Sequence, residues 1–281
     1  MRKAAAVVAG IITIGSISIL GACGSQQSSS VSTASASSTV SSRARKAMTK
    51  EEAGQYYEKV ITPNNELQDA FNSAYFVGDV ATATDTAAEL VKSDKQCAKQ
   101  LLLRTWPAGT EKYVKGVVKS LNEDATIMTT VSDASSMDEI SQQMDNFSDS
   151  SSAEALRKKL GLKTPPQFSP VSVTGGRCQP IDSDRYRYCD ITIKNDTKGQ
   201  LFLVTSTISI MDGSGASLDE TYPQLSSPLQ PGQEMNNEFL ISPEDVDKAT
   251  QFKMTSVTWS AGSNDGTHFE LPVDSQTIAI Q

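Results

Sequence analysis

A change of hydrophobic period at Thr164-Pro165-Pro166 divides this chain in two. Before it, apolar residues recur at helical spacing: Tyr56, Tyr57, Val60 and Ile61; then Leu67, Ala70, Phe71, Ala74 and Tyr75; then Ala83, Ala87, Leu90, Cys97 and Leu101. After it they alternate, as in Val171 and Val173, in Cys189, Ile191 and Ile193, and in Phe202, Val204, Ile208 and Ile210, where Ser206 interrupts. A helix buries a stripe with period 3.6 and a strand buries every second residue, so the two stretches need different partners. Paired prolines cannot continue a helix and hold the backbone extended, which puts the boundary there. The expected fold is α+β by separate domains, with an antiparallel helical bundle over residues 48–163 and an all-β, immunoglobulin-like sandwich over residues 164–281.

The bundle carries its own punctuation. Thr49-Lys50-Glu51-Glu52 has capping-box spacing and predicts a helix start. Thr62-Pro63 predicts a restart with proline in the first turn, so that a second helix runs to Gly78. A third helix is expected from Val80 to Arg104, broken by Trp106-Pro107; a fourth from Thr110 to about Val131; and short ones over Met137–Phe147 and Ala153–Leu160, the last capped by Gly161. In the second half, turns at Asn195–Gly199, Asp212–Gly215, Pro231-Gly232 and Asn264–Gly266 separate about seven strands.

The N-terminus has the three parts of a secretory leader: basic Arg2-Lys3, an uncharged apolar run from Ala4 to Leu20, and a small-residue cleavage site. A membrane-spanning helix is the alternative for so long a run. Gly10, Gly15, Ser16 and Ser18 dilute it, and no basic cluster directly follows Cys23. Leu20-Gly21-Ala22-Cys23 resembles the lipobox of bacterial lipoproteins. That resemblance implies a leader over residues 1–22, a diacylglycerol thioether on Cys23, and attachment to the outer face of the cell membrane. Residues 23–47 are then an acylated, Ser-rich linker, too polar to offset the entropy of ordering it. As a flexible coil it would set the folded part roughly 25 to 30 Å from the bilayer. Arg43, Arg45, Lys46 and Lys50 close it with a basic cluster, read as a solvated boundary or as a contact for anionic headgroups.

Two further resemblances concern the folded halves. Tyr57 with Thr62-Pro63-Asn64-Asn65, Trp106-Pro107 and Ala155–Leu162 are similar to the helical domain of actinobacterial lipoproteins of unassigned function. The run Ile191–Asn195, Ile208–Asp212 and Leu229-Gln230-Pro231-Gly232-Gln233 resembles the FxLYD-like sandwich modules of bacterial surface proteins, with Met211 where those have an aromatic.

Chemistry is sparse. His268 is the one histidine, which excludes multi-histidine metal sites and leaves a single candidate base for any triad; it is read as a surface or edge residue. No nucleophile elbow, Walker loop or zinc helix is present. Asp212–Gly215 and Asp182-Ser183-Asp184 lack the spacing of an EF-hand and read as turns. Glu51-Glu52 and Glu123-Asp124 read as solvated helix faces. No catalytic, cofactor-binding or metal-ligating residue is therefore assigned. The formal net charge of −8, which becomes −10 once Arg2 and Lys3 leave, speaks against nucleic acid as a partner.

Cysteine usage fits an oxidising compartment: with Cys23 taken by lipid, Cys178 and Cys189 are expected to form a disulfide, and Cys97, on an apolar stripe, to be a core residue. The functional expectation is a lipid-anchored surface protein with a non-catalytic interaction or envelope-assembly role, its partner an envelope protein or polymer. A small-ligand carrier with a pocket inside the bundle is the first alternative, and an enzyme of unrecognised type the second. A carrier requires a dry internal pocket, an enzyme converging polar groups in a cleft, and an interaction module a filled core with an exposed aromatic patch.

Overall fold

The computed structural model describes residues 46–144, 146–147, 151–165, 168–182, 185–273 and 275–280. Cys23, its lipobox, nearly all of the Ser-rich linker, Pro166, and Ser183-Asp184 lie outside these residues. Five helices are followed by two antiparallel sheets, so the chain is a helical unit joined to a β-sandwich.

Helix α1 (Lys50–Val77) opens with the capping box: the Glu52 amide donates to Thr49 Oγ1 at 3.1 Å and the Thr49 amide to Glu52 Oε2 at 2.7 Å. It ends at Gly78 in the left-handed region, φ 76°. The expected restart at Thr62-Pro63 does not occur, because Pro63 lies inside one continuous helix. An interior proline costs about 3 kcal/mol. Tyr57 and Ile61 before it and Phe71 after it are fully buried, each contributing about 1.5 to 3 kcal/mol, and their sum exceeds that cost. Thr62 Oγ1 turns back and donates to the Glu58 carbonyl at 2.7 Å.

Helix α2 (Val80–Leu102) starts at Asp79, whose side chain accepts from the Thr82 amide, and returns antiparallel to α1. Trp106 then folds under the helix end and donates its indole N–H to the Leu101 carbonyl at 2.7 Å. Helices α3 (Glu111–Ser132), α4 (Met137–Met144) and α5 (Ser151–Leu160) complete the bundle, and Gly161 closes α5 with φ 75° as expected. Two apolar clusters fill the interior. One holds Tyr57, Leu101, Trp106 and Leu156; the other holds Phe71, Leu90, Met128 and Ile140.

The sandwich comprises β1 (Val171–Cys178), β2 (Arg187–Asn195), β3 (Leu201–Met211), β4 (Ser217–Thr221), β5 (Glu234–Ile241), β6 (Gln251–Ala261), β7 (His268–Pro272) and β8 (Ile278–Ala279). One sheet has the order β1-β2-β5 and the other β4-β3-β6-β7, with β8 also on β6. First, second and fifth strands facing third, sixth and seventh is the immunoglobulin-like arrangement. Ile191, Ile193 and Phe239 point inward against Ile208, Phe252 and Trp259, and the Phe239 and Phe252 rings meet edge to face at 5.1 Å. Ser206 sits in that core as expected of an interruption, satisfied by Asn237 Nδ2 at 3.0 Å. Phe202 is not on the buried face. Leu201 takes that place because Leu203 adopts φ 49° and the register shifts between Phe202 and Thr205.

Two motifs of the sandwich have mechanical explanations. Asn195 is fully buried, and its Nδ2 donates to the carbonyls of Gly199 and Leu229 while its Oδ1 accepts from Thr197, which clamps the Leu229–Gln233 turn onto β2. Asp212 accepts from the Ser214 hydroxyl and from the amides of Ser214 and Ala216, which holds its carboxyl below the usual range and closes the loop as a turn.

The halves share a core. Phe76, near the end of α1, belongs to the sandwich's apolar cluster and packs against Phe168, Trp259 and Phe269 at 5.4 to 6.0 Å. The Trp259 indole donates to the Phe76 carbonyl at 2.8 Å, satisfying one of the orphan acceptors of the helix end. Ser73 Oγ accepts from the Lys198 amide at 3.0 Å, and a Cβ on Gly199 would stand 2.7 Å from the Val77 side chain. The boundary at Thr164 in the chain is thus bridged in space.

Candidate interaction surface

The β1–β2 hairpin carries both the disulfide and the most distinctive surface of the described residues. Cys178 and Cys189 are bonded, directly opposed in the sheet register, and Cys189 points into the core. Alternation along β2 therefore sends Tyr188 outward. Its neighbour across the sheet is Leu240, and both stay exposed, at 47% and 44%. Beyond the strands, Tyr186 and Ile181 are exposed as well, and the Asp182 amide donates to the Tyr186 carbonyl at 2.9 Å. Tyr188 and Leu240 thus form an exposed apolar pair on the outside of the three-stranded sheet, with Tyr186 and Ile181 exposed toward the end of the same hairpin.

The rim is polar. Arg177 pairs with Asp190 at 3.0 Å, and Arg185 pairs with Asp247 beyond the hairpin tip. Near the hairpin end, Asp182 Oδ1 accepts from the Tyr186 amide at 2.7 Å, and Arg185 takes the left-handed conformation, φ 67°. Aromatic anchors with a charged rim on a pre-ordered backbone are the composition of protein-binding surfaces, since little rotamer or loop entropy remains to be lost on contact. Replacing Cys178 and Cys189 together with alanine is expected to lower stability by about 2 to 4 kcal/mol. Thermal unfolding with and without reductant measures it; unchanged unfolding on reduction would remove the bridge from the stability of the hairpin.

Sequence reasoning passed over Tyr186, Tyr188 and Leu240. The available signal was Tyr186-Arg187-Tyr188-Cys189, in which both tyrosines have the parity opposite to the inward Cys189, Ile191 and Ile193.

The other candidates lie apart from this face and from one another. His268 is exposed on β7, its Nδ1 2.9 Å from Ser260 Oγ. Cys97 is a free, buried thiol that donates to the Val60 carbonyl at 3.2 Å, and burial pushes its pKa up to about 11. Between the two apolar clusters of the bundle runs a polar band of Asn64, Asn65 and Asp94. Asp94 is 3% exposed, and burial, with the charge of Asp124 behind it, raises its carboxyl to about 7 against a hydrogen bond from Asn64. Asp124, expected on a solvated face, is half-buried and acts on this band. Asp69 is raised to about 6 by partial burial and Glu66. Asp94 is enclosed, whereas Asp69 and Asp124 are half-buried. Among the described residues no three of His, Cys, Asp and Glu are placed to hold a metal ion. None of the described helices is long and apolar enough to cross a membrane.

No family model matches the sequence, and no curated protein matches it. Solved structures similar to part of the chain include a putative ApaA protein from Bordetella pertussis, 19% identical, covering 39% of this chain and 91% of that one with a TM-score of 0.28. The C-terminal domain of wzt is 13% identical over 41% of this chain and 75% of its own, TM-score 0.27. The sporulation control protein Spo0M from Bacillus subtilis is 11% identical over 40% and 49%, TM-score 0.23. Likenesses at this level say nothing about activity.

Proposed function

We propose that this chain is a lipid-anchored protein of the bacterial cell envelope with a non-catalytic interaction role, held on the outer face of the cell membrane through Cys23. In this reading it binds an envelope protein or polymer through Ile181, Tyr186, Tyr188 and Leu240. The observation that carries it is the exposed pairing of Tyr188 with Leu240 beside the disulfide, two large apolar side chains presented on a cross-linked hairpin.

Tyr188→Ser with Leu240→Ser tests the face. Capture from intact envelopes should lose its specific partner at least about tenfold, since two central anchors are worth roughly 1.4 kcal/mol or more together. Thermal unfolding should fall by less than binding does, because about half of each side chain is already in water. The same set of captured proteins with both residues replaced would end the proposal. The anchor has its own test: a fatty-acid analogue should label the native chain and not Cys23→Ala.

A further inference from the structure

At the end of the bundle far from the sandwich, the start of α1, the end of α2 and the end of α5 come together. Met48 donates its amide to the Thr105 carbonyl at 3.0 Å, and the Tyr56 hydroxyl donates to the Gln100 carbonyl at 2.8 Å. Lys50 Nζ comes within 3.2 Å of the position a Cβ on Gly161 would take. Three successive leucines end α2. Leu101 is buried, whereas Leu102 and Leu103 remain 61% and 51% exposed. Beside them a groove of about 460 Å³ is lined by Lys46, Lys59, Arg104, Tyr56 and Glu52, with the Arg104 guanidinium 5.3 Å from the Tyr56 ring centre. Its one carboxylate is already engaged by the Thr49 amide. Lys99 in the last turn of α2, and Lys158 and Lys159 in that of α5, extend the positive surface. Basic residues complement the ends of helices, but that reason does not extend to Lys46 or Lys59, nor to the paired exposed leucines. In a chain of net charge −8, the cations at this end outnumber its carboxylates, Glu51, Glu52 and Glu58.

We propose that this end of the bundle rests on an anionic lipid surface, with Leu102 and Leu103 entering the headgroup–acyl boundary and Lys46, Lys59 and Arg104 meeting headgroup phosphates. Apolar residues framed by cations are what such an interface takes, and two weak attachments make a stable one. The occupant follows from where the chain enters: Lys46 is the first described residue, and Cys23 stands 23 residues before it. The choice of a lipid surface as the nearest partner rests on the anchored reading above. The surface itself is testable without the anchor.

The chain from Ser25 onward, which keeps every described residue and carries no acyl group, is mixed with phosphatidylcholine vesicles with and without phosphatidylglycerol, and binding is read by flotation. Binding is expected only to the anionic vesicles, falling as salt rises. It should drop about fivefold in Arg104→Gln and at least about tenfold in Leu102→Glu with Leu103→Glu. Tyr188→Ser should bind as the native chain does. Unfolding curves for the leucine variant separate lost binding from lost fold, and Leu102→Ser serves where the double glutamate is unstable. Absence of binding, equal binding to neutral vesicles, or binding that needs Arg104 but not the leucines would overturn the proposal, the last indicating a site for a soluble anion. Fatty-acid labelling of Cys23 reports on the anchor alone. A labelled protein whose unacylated form ignores vesicles sinks this inference and leaves the anchor standing, and an unlabelled protein that floats does the reverse.

Discussion

Phe76→Ala is expected to destabilise the whole protein by about 3 to 5 kcal/mol, a large share of what a chain of this kind has. The ring is 7% exposed and touches Phe168, Trp259 and Phe269, so its removal leaves a cavity with aromatic walls held by three different segments. Those walls cannot collapse together easily, because Trp259 is tethered to the Phe76 carbonyl by its own hydrogen bond. The chain has two tryptophans, Trp106 in the bundle and Trp259 in the sandwich. Urea unfolding followed by fluorescence, in the native background and with Trp106→Phe, therefore reads each half. Both signals should shift together. A shift confined to either tryptophan, or a loss below about 1 kcal/mol, would mean that the halves do not depend on each other.

The second large effect has the opposite sign. Asp94→Asn is expected to stabilise the protein, increasingly so as pH rises. The Asp94 carboxyl is raised from 3.8 to about 7, so between those values the folded protein holds a proton that the unfolded chain has released. Stability then falls as pH rises through this window and levels off above about 7. The shift is set by burial first, then by Asp124 on α3, with Asn64 on α1 opposing them. Asparagine fits the same space without a charge to bury. The difference between variant and native chain should widen by roughly 2 to 4 kcal/mol from pH 4 to pH 7. Asp69 acts in the same direction from a half-exposed position and sharpens the native decline. Denaturation midpoints across that range measure it, and a constant difference would place the Asp94 proton elsewhere.

What the residues disclosed in advance was local or periodic. The Thr49 capping box, the Gly161 cap and the inward run Cys189-Ile191-Ile193 each depend on neighbours within a few positions, and all stand where expected. The disulfide was legible because Cys178 and Cys189 sit in adjacent strands whose hairpin sets their register. Pro63 was misread because its local preference is real and is overridden only by burial on both sides of it. Phe202 was placed inward because a bulge is one unforeseen residue that reverses every side chain before it. The short β4, Ser217-Leu218-Asp219-Glu220-Thr221, escaped because an edge strand need not alternate cleanly. The polar band at Asp94 depends on three helices meeting at one level, and periodicity along any single helix carries no record of that.

The joint at Phe76 also bears on how the chain reaches its fold. Phe76 and Trp259 are 183 residues apart, so the contact that completes α1 closes a loop of most of the molecule. A chain that emerges N-terminus first can fold the far half of its bundle early, since Tyr57, Leu101 and Leu156 find one another without the strands. The last turns of α1 must wait, with Tyr75 and Phe76 uncovered, until β6 and β7 have been made. That delay exposes an aromatic helix end to other unfinished copies.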